Sequence, residues 1–175
     1  GIGSSGPIIA KSLMPVPTLI FWRNLIGAII MAPFALYRRE WRNHAQKSAI
    51  KWSMLAGVLL GFHFIGFFQA MRLTSVASGT AITAMQPIFT ALFVRASGGF
   101  ISRKSWSGMI IAFLSVLLIT GVDLSISFNT FKGDMYALVG AALAALYMMV
   151  GAKVQRDLST STFTSVCYFF CAITV

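Results

Sequence analysis

GVLLGFHFIGFFQAMRLTSVASGTAITAMQPIFTAL, from Gly57 to Leu92, contains one charged residue, Arg72. Each residue of a helix advances the chain by about 1.5 Å, so about 20 apolar residues cross the hydrocarbon of a bilayer. The quoted stretch is long enough for two crossings, with Arg72, Leu73, Thr74 and Ser75 at the turn. A backbone in lipid must satisfy its own polar groups, and the helix does so within one segment. The stretch therefore predicts a pair of adjacent transmembrane helices.

The same reading extends outward. Hydrophobic residues make up 57% of the chain and charged residues 10%, far from soluble averages. Complete spans are expected at about Thr18–Tyr37, Trp52–Met71, Ser75–Val94, Ser105–Val122 and Met135–Ala152. Gly1–Ala10 reads as the end of an earlier helix and Thr162–Val175 as the beginning of a later one, so the chain is expected to be a segment of a longer parent. The fold class predicted is all-α, a polytopic transmembrane bundle. The longest connection, Arg38 to Lys51, has 14 residues and holds no soluble domain.

The net charge of +10 does not indicate nucleic acid, because the basic residues fall in short clusters between apolar runs and are not interleaved with aromatics. They report topology instead. Arg38, Arg39, Arg42, Lys47, Lys51, Arg95, Arg103, Lys104, Lys153 and Arg156 fall on one side; Lys11, Arg23, Arg72 and Lys132 fall on the other, with Asp123 and Asp134. Basic loops stay in the cytoplasm, so loops 38–51, 95–104 and 153–157 are expected there, in the cytoplasmic (inner) membrane of a cell. Tyr37, Trp41, Trp52 and Trp106 stand where amphipathic rings favour the headgroups.

Polar groups at membrane depth are expensive, and each is a site candidate. His63 lies near the middle of its span, and its near-neutral titration puts proton coupling within chemical reach. Gln86 precedes Pro87, which removes a backbone donor and frees a carbonyl one turn earlier; a kink and a docking point are both open. Tyr147 lies mid-span with Met148 and Met149 beside it. Arg23 and Lys11 are expected near the outer surface, either snorkelling or attracting an anionic group such as a carboxylate. Gln69 is expected at the interface. Gly57 and Gly61 form a GxxxG pair, Gly140 and Ala144 a weaker one, and Val76–Ala81 is a run of small residues, all suited to close helix packing. Cys167 and Cys171 lack metal-site spacing and read as packing residues. No metal site, cofactor site or phosphate-binding GxxxxGK[ST] loop is present in the sequence.

Several segments resemble the EamA-type carriers of the drug/metabolite transporter superfamily. Ala70, Met71, Arg72, Leu73, Thr74 and Ser75, then the small residues, then Pro87, Ile88, Phe89 and Thr90 are similar to that family's third and fourth helices. Gly6–Asn24 resembles the end of the first helix and the start of the second with its Phe-x-Arg. Lys132–Ser159 resembles the opening of the second repeat, with Gly133–Asp134 and an aromatic at Tyr147. A Glu often found in a Gly-Glu element after the fourth helix is replaced by Ser97–Ser102. The resemblance implies ten helices in two inverted five-helix repeats, with residues 1–129 in the first and 130–175 opening the second. The recurrence of Ala10-Lys11 as Ala152-Lys153 fits such a duplication. It also implies a His of the third helix facing a central cavity, which maps to His63, and alternating access about a midplane site.

The function expected is therefore secondary transport of a small organic metabolite, plausibly an amino acid or a relative, with the lipid bilayer as the other partner. A non-transporting membrane subunit is the alternative. An intramembrane enzyme needs a nucleophile with its base or paired acids at depth. Glu40, Asp123, Asp134 and Asp157 all fall in loops or at helix ends, so no enzyme and no carboxylate-driven exchanger is expected from these spans.

Overall fold

The structure, a computed structural model, describes residues 9, 11–43, 46–120 and 127–175, except for the side chains of 116–120. Among the described residues there are helices and no strands. We number the helices α1 (Val16–Arg38), α2 (Lys47–Leu73), α3 (Val76–Thr83), α4 (Gln86–Ala96), α5 (Arg103–Thr120), α6 (Phe128–Val154) and α7 (Thr160–Thr174), with a single 3-10 turn at Glu40–Arg42. Among the described residues four spans are long and apolar enough to cross a membrane: α1, α2, α6, and α3 with α4 taken together; α5, over the expected span Ser105–Val122, is not one of them. The helices follow the expected spans, running a few residues further at most ends. The expected span Gly1–Ala10, save Ile9, and Asp123 lie outside the described residues.

Local chemistry sets the ends. Pro15 and Pro17 open α1, where the missing N–H would be unpaired in any case. Arg39 closes it in the left-handed region, φ 52°. Ser75 and Ser159 cap α3 and α7, their hydroxyls accepting the N–H of Ser78 and Thr162. The expected Ser75–Val94 helix is broken at Ala84 and Met85. The cause is Pro87, whose ring opposes the carbonyl four residues earlier, at Thr83, the last residue of α3. Most hydroxyls in these apolar helices turn back onto their own backbone. Thr83 donates to Gly79 at 2.8 Å, Thr90 to Gln86 at 3.1 Å, and Ser53 to Ala49 at 2.9 Å. Their polarity is thus satisfied without a ligand.

The chain divides into two compact units. The first comprises residues up to 13 and 66–145, the second residues 14–65 and 146–175. In the first, backbones approach where side chains are absent. A Cβ on Gly66 would lie 2.8 Å from the carbonyl of Tyr136 and 3.2 Å from Cα of Gly140, and one on Gly133 would lie 2.8 Å from the amide of Thr74. The run Ala137, Ala141, Ala144 on α6 is fully buried. α5 packs on both α3 and α4. Arg72 donates to the carbonyl of Ser12 at 3.1 Å.

In the second unit, α1 lies along α7. Gly27 of α1 faces the Tyr168 ring, and Gly57 and Gly61 of α2 face the α7 backbone at Cys167 and Cys171. Cys167 and Cys171 are buried free thiols. On the other face of α1, Trp22, Ile26, Ile29, Ile30 and Phe34 are each more than half exposed, an i, i+3/i+4 stripe. A stripe this large and apolar suits lipid and not water.

One polar clasp joins the loops of this unit. The Glu40 carboxylate accepts the backbone N–H of Ser159 at 3.2 Å and its hydroxyl at 2.9 Å, while the Gln46 amide donates to the carbonyl of Asp157 at 2.9 Å. Glu40 thereby sits at the positive end of α7. Burial raises its pKa, but hydrogen bonds from Thr162 and Ser159 and the nearby Arg38 charge outweigh that, leaving it below the usual carboxylate value of 4.5. A carboxyl whose folded pKa is depressed contributes stability that is complete above its unfolded value and is lost as pH falls through the folded one. Glu40→Gln should lower Tm by roughly 2–4 °C at pH 7, about 1 kcal/mol for partly screened bonds, and the gap from the native protein should close on titration towards pH 3. A gap independent of pH would show that Glu40 acts there without its charge.

Candidate functional site

The second unit holds a half-open cavity of about 470 Å³. Four helices contribute to its wall: Arg23 from α1; Leu60, His63 and Phe64 from α2; Tyr147, Met148, Gly151 and Ala152 from α6; and Phe163, Thr164, Cys167 and Tyr168 from α7, with Gln155 just past α6. This volume falls within the range of small-molecule sites. Spacing explains the wall. Leu60, His63 and Phe64 are three and four residues apart and share one face of α2; Met148, Gly151 and Ala152 do the same on α6. Gly151 has no side chain because the Phe163 ring would lie 2.9 Å from its Cβ.

Three of the five residues singled out from the sequence meet here. The ring of His63 lies over that of Tyr147, centroids 6.3 Å apart and planes 28° from parallel. His63 is three residues, about 4.5 Å, from the middle of α2. Because α6 begins as early as Phe128, Tyr147 lies six residues, about 9 Å, from its middle rather than mid-span as expected.

Arg23, expected near the outer surface, also lines the cavity. It is the eighth residue of α1, about 6 Å from the helix middle. Its guanidinium carbon stands 4.4 Å from the centroid of the Phe64 ring. Phe64 itself lies nine residues, about 13 Å, from the Leu73 end of α2. The exposed side chain thus lines the cavity against the negative face of the ring.

Gln86 and Lys11 belong to the first unit and do not line this cavity. Gln86 is the first residue of α4 and half-buried, with its carbonyl accepting from Thr90; Lys11 is exposed. Pro87 lines a separate, mostly apolar hollow with Ile88, Gly108, Met109 and Phe113. Gln69 is half-buried. Phe64, Gln155, Thr164 and Tyr168 were not singled out from the sequence. An aromatic in an apolar helix carries no signal of its own, and only the approach of α7 to α1 and α2 reveals which of these residues face inward.

The wall holds one permanent cation, an imidazole, two phenols, an amide and a hydroxyl against apolar surface. The buried Cys167 adds a thiol, and no acid lines the cavity among the described residues. Such a surface can hold and release a small polar solute.

Comparison with known proteins agrees with a transport role. Residues 3–121 match the EamA-like transporter family. An uncharacterized transporter of Bacillus subtilis (strain 168), YyaM, is 26% identical over 154 residues, 83% of this chain and 50% of that protein. A second from the same organism, YxxF, is 27% identical over 157 residues, 83% of this chain and 47% of that protein. An uncharacterized transporter of Archaeoglobus fulgidus is 26% identical over 159 residues, covering 89% and 54%. The chain spans about half the length of these curated relatives. No solved structure matches it.

Proposed function

This chain belongs to the EamA-like transporter family, and from that premise we propose that its full-length protein is a secondary carrier of a small organic metabolite, an amino acid or a related compound. The observation that carries the proposal is the cavity of the second unit, with Arg23, His63 and Tyr147 on its wall at membrane depth. Polar groups placed there are costly in a structural element and useful in a pathway. The chain is a multi-pass integral membrane protein.

In this reading residues 1–129 form most of one five-helix repeat and residues 130–175 open a second, inverted one. Access alternates between the two faces as the repeats rock, and His63 is the group through which a proton gradient would couple. Gln86 and Lys11 are the further candidates for contact with solute, and Pro87 shapes the fourth span. The protein sits in the cytoplasmic membrane with loops 38–51, 95–104 and 153–157 inside, as the bias of Lys and Arg supports. A reporter active only in the cytoplasm should work when fused after Arg42 and fail when fused near Asp123; the reverse pattern would sink this orientation.

The deciding assay is uptake into proteoliposomes by the full-length protein, with labelled amino acids and organic acids. Saturable, protein-dependent accumulation supports the carrier. Well-folded protein that moves none of a broad panel would favour the alternative, a non-transporting subunit of a membrane complex.

A further inference from the structure

We propose that the cavity of the second unit recognises its solute through a carboxylate, with the Arg23 guanidinium as the partner of that single negative charge; this deepens, and rests on, the carrier reading. Arg23 is the starting point because a permanent cation about 6 Å from the middle of a membrane helix has to be compensated. Its compensation here is incomplete. The Phe64 ring, 4.4 Å away, stabilises the charge, but a ring face cannot match the fork of N–H donors on the guanidinium. Among the described residues no carboxylate pairs with Arg23 and none lines the cavity. Glu40, the most strongly engaged acid of this unit, is held at the start of α7 by Ser159.

The rest of the wall narrows the class of ligand. Tyr147, Tyr168, Thr164 and Gln155 offer neutral polar groups, while Leu60, Phe64, Met148 and Phe163 offer apolar surface for a body of modest size. One guanidinium balances one charge. A dianion such as a phosphate monoester would leave a net charge stranded at depth, and a simple cation would meet Arg23 with nothing to offset it. A planar carboxylate, by contrast, accepts two parallel N–H bonds from the guanidinium. The carboxylate belongs either to a plain organic monoanion, which balances Arg23 outright, or to a zwitterion, whose ammonium would then need the neutral oxygens of Tyr147, Tyr168, Thr164 or Gln155; both place the same group on Arg23.

The test compares acids with their own amides. Thermal stabilisation of the purified full-length protein would be measured with 4-methylpentanoate, 3-phenylpropanoate and leucine, each beside its primary amide. The acids are expected to stabilise the protein and the amides to do so at least tenfold less potently. Arg23→Gln should abolish the preference. Arg23→Lys, which keeps the charge and loses the fork, should weaken acid binding severalfold while still rejecting amides, and it carries the test if the Gln variant does not fold. Leucine binding as well as 4-methylpentanoate marks zwitterions as the solutes, and its exclusion marks plain monoanions; each supports the assignment. Amides as potent as acids, a preference that survives Arg23→Gln, or no stabilisation by any acid overturns it. Acids bound through Arg23 but never accumulated by proteoliposomes would leave this site standing and remove the carrier. Saturable uptake indifferent to both Arg23 and the carboxylate would do the opposite.

Discussion

Gly57→Ala is expected to lower the thermal midpoint of the protein by roughly 5–10 °C, whereas the same change at Gly108 should leave it unaltered or raise it slightly. The chemistry of the two substitutions is identical. What differs is the neighbour. A Cβ on Gly57 would lie 2.4 Å from the carbonyl oxygen of Cys167, 2.8 Å from the Cβ of Phe170 and 3.1 Å from the amide of Cys171. Two of these are backbone atoms of α7 and cannot rotate aside, so α2 and α7 must separate. Overpacking of this sort costs about 1–3 kcal/mol, and for a chain of this size each kcal/mol shifts the midpoint by about 2–4 °C. At Gly108, nothing lies within 4 Å. Alanine there removes the helix penalty of glycine, about 0.5–1 kcal/mol, without a clash. Scanning fluorimetry on the two variants decides the matter; equal tolerance would mean that α2 and α7 do not meet through Gly57.

The second large effect is expected on transport. His63→Ala and Tyr147→Ala should each reduce initial uptake at least tenfold while moving the thermal midpoint by only a few degrees. Both residues line a cavity, and their removal enlarges a space already open. Because the two rings are stacked, the double variant should lose less than the product of the single effects. Tyr147→Phe separates the ring from the hydroxyl: uptake kept by Phe and lost by Ala assigns the role to the aromatic face. Full uptake by the His63→Ala protein would remove His63 from the pathway and proton coupling with it.

These two predictions rest on different kinds of information. Gly57 and Gly61 are visible as a pair in the sequence, because four-residue spacing puts both on one helix face. The surface they oppose is not visible there, since nothing in Cys167–Cys171 marks it as the partner. His63 and Tyr147 are legible for another reason. Polar side chains in apolar runs are few, and the expense of each in lipid singles it out. Arg23 was visible as a residue but not in its direction. A long flexible side chain can reach in several directions, and the Phe64 ring against which it stands sits on another helix, 41 positions along the chain.

Membrane residence, the approximate limits of most helices, the break ahead of Pro87 as a kink, and the bias of positive charge are properties of the sequence by itself. Each follows from local quantities: hydropathy over about 20 residues, the missing N–H of proline, and the count of Lys and Arg per loop. Which helices touch, the clasp of Glu40 on Ser159, and the meeting of Arg23, His63 and Tyr147 around one cavity were decided only by tertiary structure. In lipid, hydrophobicity cannot choose between one apolar face and another, because the solvent is as apolar as the side chains. Steric fit and a few polar contacts between residues distant in the chain make that choice.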